Sequence, residues 1–237
     1  MGVAELQATL VDDIKRRALR ALHRTARGEA LVLRTYLWAE ELAEGEVLDE
    51  TAAGAPPWLA RQLERHAADE KRHAVLLRQR LDQLGQAEPA LPGADALCRS
   101  KLDRLRALAA AYAPRFRSPV VPLLAVACGM EKLGVRVMTR HLAVLAEVEE
   151  PGRPHPTATL LRRIVVEERG HVAGCERALA KLVEPDELPL LAELRGKIEA
   201  VDRAWGVTGA LTFLALGGWF RLRGAFDLRP AMSEIAA

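Results

Sequence analysis

Apolar side chains recur along most of this chain at three- and four-residue steps, the period of a helix face. Over residues 13–44 the stripe is Ile14, Ala18, Leu22, Val32 and Tyr36, with Thr25 and Glu29 in register, and it predicts one helix stopping at Gly45. Residues 46–57, with Gly54, Pro56 and Pro57, read as a loop. A second helix is predicted over 58–84, where Leu59, Leu63, His66, Glu70, His73 and Leu77 share a face and Gly85 ends it. After a break at 89–93, residues 94–112 form a helix through Leu97, Leu102, Leu105 and Leu108, a crossover between two helix pairs. Residues 120–147 and 157–183 make a further pair, separated by Pro151, Pro154 and Pro156. An amphipathic helix follows over 186–203, carried by Leu190, Leu191, Leu194 and Ile198.

Four carboxylates interrupt these apolar faces. Glu29 lies among Leu, Val and Tyr, and Glu131 follows the almost wholly apolar run 120–130. A buried acid is costly unless something compensates its charge. Glu70 stands three before His73, which stacks the two side chains on one helix face. The same spacing returns at Glu168 and His171. With 22 Glu and 6 His in 237 residues, chance alone supplies about 0.6 such pairs. The order carries more than the spacing: an inward acid then Glu-x-x-His, and after the crossover the same again. Glu29 precedes Glu70 by 41 residues and Glu131 precedes Glu168 by 37, intervals that suit two antiparallel hairpins with these residues at one depth. Four carboxylates and two imidazoles pointing into a bundle form a ligand set for two divalent metals. Glu40 and Glu41, thirty and twenty-nine before Glu70, are alternatives to Glu29. His66, four before Glu70, points the same way, as a core or rim histidine or as a neighbour of the ligands. Asp69 and Glu167 lie about 100° round the helix from their neighbours and read as rim groups.

On Glu29, Glu70-x-x-His73, Glu131 and Glu168-x-x-His171, the sequence resembles the ferritin-like di-iron carboxylate superfamily of rubrerythrins, ferritins, quinone-ring hydroxylases and several oxygenases. The expected fold is all-α: a ferritin-like four-helix bundle over 1–184, with a C-terminal helical extension over 185–237 packed on the bundle or at a dimer or membrane edge. The resemblance implies two iron ions, with manganese or a mixed pair as the alternative. Glu70 and Glu168 would bridge them, and Glu29 with His73 and Glu131 with His171 would be terminal ligands. It also implies a catalytic role for Tyr36, seven residues after Glu29; the matching position in the second half is Met138. The function expected is an O2-activating hydroxylase or oxygenase acting on a small, largely apolar molecule, with an electron donor of unspecified identity. Ferroxidase or rubrerythrin-like peroxide reduction is the alternative, and a metal-free helical interaction module is a third. Ala127, Cys128 and Gly134, small residues around Glu131, could leave room for a substrate.

Composition narrows the rest. Half the residues are apolar and only 4% aromatic, which favours helices over strands. A net charge of +2 gives no reason to expect a nucleic-acid partner, and the arginine stripe Arg17, Arg20, Arg24, Arg27 and Arg34 reads as a solvated face. Cys98, Cys128 and Cys175 are far apart and form no CxxC, against a disulfide framework or a rubredoxin-like module. The first residues lack a signal-peptide core, so a cytoplasmic homodimer, peripheral to a membrane or not, is the expectation. Residues 204–220 are uncharged over 17 positions, short of the roughly 20 that a span needs. A bundle cap, a dimer contact and a membrane edge all remain open for them.

Overall fold

The computed structural model describes residues 3–85, 94–147, 149 and 155–227. The expected breaks at 89–93 and at Pro151 and Pro154 lie outside the described residues. Every regular element among the described residues is helical, with no strand.

The helix expected over 13–44 is two. Helix α1 (Val3–Leu22) ends where the chain turns at His23, and Thr25 caps α2 (Ala26–Trp38), its Oγ1 accepting from the Gly28 amide at 3.0 Å. Gly28 makes the turn feasible, because a Cβ there would lie 2.2 Å from the Leu22 carbonyl oxygen. Gly28→Ala should therefore cost about 3 kcal/mol, the upper end of overpacking penalties. In a protein of this size that lowers Tm by about 6–12 °C in a thermal melt. Helix α2 then passes into a π-helical segment, Ala39–Glu44, and on into α3 (Gly45–Ala53). The expected loop over 46–57 is thus mostly helix. Val47 and Leu48 are buried there, and Thr51 Oγ1 donates back to the Val47 carbonyl at 2.6 Å. Burying these two side chains outweighs the weak helix signal of the segment.

Gly54 and Ala55 turn the chain, and Pro57 opens α4 (Pro57–Gln83), its missing N–H costing nothing in the first turn. Gly85, at φ 65°, takes the left-handed conformation after α4. Helix α5 (Ala94–Tyr112) crosses over to α6 (Val121–Ala146), which α7 (Pro156–Leu182) packs along. Helix α8 (Leu188–Asp227) is continuous through the uncharged stretch and lies along α1, α5 and α6. At Gly217 it approaches α1 so closely that a Cβ would meet the Ala21 Cβ at 2.8 Å. Leu211, Trp219 and Leu222 face outwards from α8. Among the described residues no helix is long and apolar enough to cross a membrane.

The apolar core is in two parts, and their membership gives each helix its direction. One part takes Val47 and Leu48 of α3, Leu59 and Leu63 of α4, Leu124 to Cys128 of α6, and Cys175 to Leu179 of α7. The other takes Leu31 to Tyr36 of α2, Leu77 and Leu81 of α4, Met138 to Leu145 of α6, and Ala158 to Val165 of α7. Helices α4 and α6 therefore run from the first part to the second, while α7, and α2 continuing through the π-helical segment into α3, run the opposite way. All four paths cross from one core to the other through a single buried polar layer.

Candidate metal centre

That layer is where the acids and histidines fall. Glu40, His66, Glu70, His73, Glu131 and Glu168 are all buried, and His171 is nearly so. They form two groups that share one carboxylate. His66, Glu70, Glu131 and His171 offer one ligand atom each within 4.8 Å of one another, and Glu40, Glu70, His73 and Glu168 do the same. In the first group, His66 Nε2 lies 2.9 Å from Glu131 Oε1 and 3.1 Å from Glu70 Oε1. His171 Nδ1 is 2.9 Å from that same Glu70 oxygen and 3.7 Å from Glu131 Oε2. In the second, His73 Nδ1 is 3.0 Å from Glu168 Oε1, 3.2 Å from Glu40 Oε2 and 3.3 Å from Glu70 Oε2. The two oxygens of Glu70 thus face opposite groups. Glu168 leans the same way, its Oε2 lying 3.9 Å from His171 Nδ1.

His73 Nδ1 is within hydrogen-bond reach of Glu40 and Glu70, but not every close approach here is a hydrogen bond. His66 Nε2, His171 Nδ1, Glu70 Oε1, Glu131 Oε2 and Glu168 Oε1 are all buried without a hydrogen-bond partner, despite neighbours at about 3 Å. Buried ligand atoms that converge without satisfying one another are what a cation site requires. The donor set of hard carboxylates with imidazole nitrogens suits iron, manganese or zinc. The residues fit a pair of divalent ions, with Glu70 common to both.

The outer nitrogens of the two repeat histidines are held reciprocally. His73 of α4 points Nε2 at Glu167 Oε2 of α7, at 2.7 Å, and His171 of α7 points Nε2 at Asp69 Oδ2 of α4, at 3.2 Å. Arg72 ties the two acids together at 2.8 Å each. An Nε2–H donated outwards fixes the tautomer that leaves Nδ1 free to ligate. Asp69→Ala and Glu167→Ala should each weaken metal binding about 10–100-fold without changing the number of ions bound, as equilibrium dialysis would report.

Without a bound cation, protons would do the neutralising. Burial pushes Glu40 well above the usual carboxylate range, and the hydrogen bond with Glu70 adds to it. Burial likewise raises Glu131 to about 7. At Glu168 burial alone would raise the carboxyl, but the adjacent His171 and His73 imidazoles outweigh it and bring it to about 2. Glu70 is lowered in the same manner, burial being overcome by its neighbours Glu40, His171 and His66. Burial opposes the charge on His66 and His73, yet the surrounding acceptors raise them to about 11 and about 12. His171 is raised for the same reason.

Of the residues singled out from sequence, Glu70, His73, Glu131, Glu168 and His171 come together in this layer. Glu29 does not. Glu40 stands in its place, because α3 prolongs the first hairpin and moves its turn to Ala55. Glu40 and Glu70 each lie fifteen residues from that turn, which puts them at one depth, whereas Glu29 is eleven residues further out. Glu29 is buried instead against Arg80, whose Nη2 donates to Oε1 at 2.9 Å, and against the Thr157 hydroxyl. Tyr36 therefore loses its offset of seven from a ligand in this layer. It lies one turn before Glu40, and its hydroxyl pairs with His141 Nδ1 at 3.1 Å. Ala127 and Cys128 are part of the apolar core rather than lining an opening, and only Gly134 keeps space beside Glu168, where a Cβ would sit 3.9 Å from Oε2. Sequence reasoning gave His66 too little weight. Its signal was the four-residue step to Glu70, and the Cys175 side chain steadies it from behind.

No protein-family model matches the chain, and neither a curated protein nor a solved structure does.

Proposed function

We propose that this protein is a ferritin-like, non-haem di-iron oxidoreductase that activates O2 to oxidise a small, largely apolar molecule. The observation that carries the reading is the pair of four-residue His/Glu groups sharing Glu70. The alternating directions of α2, α4, α6 and α7, with α5 as the crossover, support the ferritin-like topology. A reduced iron pair supplies two electrons to O2 when bound. The chain's own part is to hold two ions on one carboxylate, to orient His73 and His171 through Glu167 and Asp69, and to exclude water between two apolar cores. Asp69, Arg72 and Glu167, on α4 and α7, form a partly exposed edge of the layer.

A second reading, ferroxidase or peroxide reduction, gains from Ala127 and Cys128, which fill the core where a substrate pocket would need room. The two separate in one experiment. Protein loaded anaerobically with Fe(II) is exposed to O2 alongside small aromatic and aliphatic candidates, and both Fe(III) and organic products are measured. Oxidised product in proportion to O2 supports the oxygenase. Accumulating Fe(III) with no organic product sinks it in favour of iron oxidation, and elution as a cage on size exclusion would point to storage.

A further inference from the structure

The polar cluster around Glu29, outside the dinuclear layer, has ligand chemistry of its own. His23 stands at the break between α1 and α2, Glu29 in the first turn of α2, and His155 immediately before α7. One ligand atom from each of the three lies within 4.8 Å of the others. Eleven residues of helix separate Glu29 from Glu40, about 16 Å at the α-helical rise, so this cluster is not an edge of the first.

The free valences point to a cation. His23 turns Nε2 to His141 Nε2, and the Tyr36 hydroxyl engages His141 Nδ1, so that edge of His23 is taken. Its other nitrogen, Nδ1, is buried with no hydrogen-bond partner, and so is Nδ1 of His155. If His141 gives its Nδ1–H to Tyr36, its Nε2 accepts from His23 Nε2–H and the His23 Nδ1 lone pair is free. Glu29 spends Oε1 on Arg80 and Thr157, which leaves Oε2. Two imidazole nitrogens with one carboxylate oxygen make a three-ligand set of the kind that divalent transition ions take.

We propose that His23, Glu29 and His155 form a separate mononuclear site for a divalent transition ion of the zinc or ferrous class. Arg80 beside Glu29 repels the ion, so this site binds more weakly than the dinuclear pair and fills last.

The test is Co(II) titration of the full-length metal-free protein, read by visible d–d absorption and by metal count after equilibrium dialysis. Wild type should take up three equivalents. His23→Ala/His155→Ala should take up two, and Glu29→Gln, which keeps the bonds to Thr157, should lose only the weakest. Glu70→Ala/Glu168→Ala should keep one equivalent with a spectrum that the histidine changes abolish. That last result would hold even if the dinuclear reading failed, so the two claims fall separately. Saturation of wild type at two equivalents, both lost in Glu70→Ala/Glu168→Ala, overturns the proposal. So does a third equivalent that survives both His23→Ala/His155→Ala and Glu29→Gln, with helicity by circular dichroism showing that each variant is folded.

Discussion

Glu70→Ala should empty both halves of the dinuclear centre at once, whereas Glu40→Ala and Glu131→Ala should each remove one ion. The asymmetry follows from geometry: Glu70 offers Oε1 to His66 and His171 on one side and Oε2 to His73 on the other. Glu40 faces only the His73 group, and Glu131 only the His66 and His171 group. Metal analysis after dialysis against a slight excess of Fe(II) or Co(II) would read the difference directly. Near-equal losses across the three variants would mean that Glu70 is not shared. The metal-free protein should suffer too. Removing Glu70 leaves buried imidazoliums facing fewer acceptors, and breaking a buried ion pair by deleting one partner costs about 3–5 kcal/mol. A Glu29→Ala control should leave the dinuclear count untouched, although it strands Arg80 and Thr157 and lowers stability.

That contrast between Glu70 and Glu29 marks how far the sequence could be read. Glu70, His73, Glu168 and His171 were legible because three-residue spacing on a helix is insensitive to where the helix starts. Glu131 was legible because an acid after ten apolar positions is expensive whatever the fold. The same argument selected Glu29, and there it misled. Its compensation comes from Arg80, 51 positions away, and from Thr157, 128 positions away, and no local pattern announces either. Glu40 lies in the π-helical segment, where the 100° step that places residues on faces no longer holds, so its inward aspect was hidden from periodicity. The helical hairpins were visible as hydrophobic stripes. The extent of the first was not, because α3 is helical by virtue of Val47 and Leu48 reaching the core rather than by propensity.

Loading the dinuclear centre should release about three histidine protons at pH 8 and about one more at pH 6. In the metal-free protein His66, His73 and His171 hold protons at neutral pH, each having been raised from its ordinary value. Ligation requires each to give its proton up. Glu131, at about 7, contributes a fourth on the acid side only, and Glu40, raised in the same direction, adds to the count wherever it is protonated. The overall two-ion constant should then rise by at least about three decades per pH unit above pH 7, and more steeply below it. A pH indicator in weakly buffered protein, mixed anaerobically with metal, counts the protons. Stability moves in the opposite sense. A histidine raised from 6.5 to about 11 or 12 adds stability that is complete below pH 6.5 and is lost as pH climbs through the raised value. Glu168, lowered to about 2, acts on the other flank: its contribution is present above pH 4.5 and disappears towards pH 2. Chelated protein should therefore lose Tm steadily between pH 7 and 10, while metal-loaded protein, with no such protons to lose, should not. The gap in Tm between the two forms should widen with pH. A gap that narrows instead would mean that the imidazoles are neutral before the metal arrives, and the layer would then be a hydrogen-bonded core rather than a site that exchanges protons for cations.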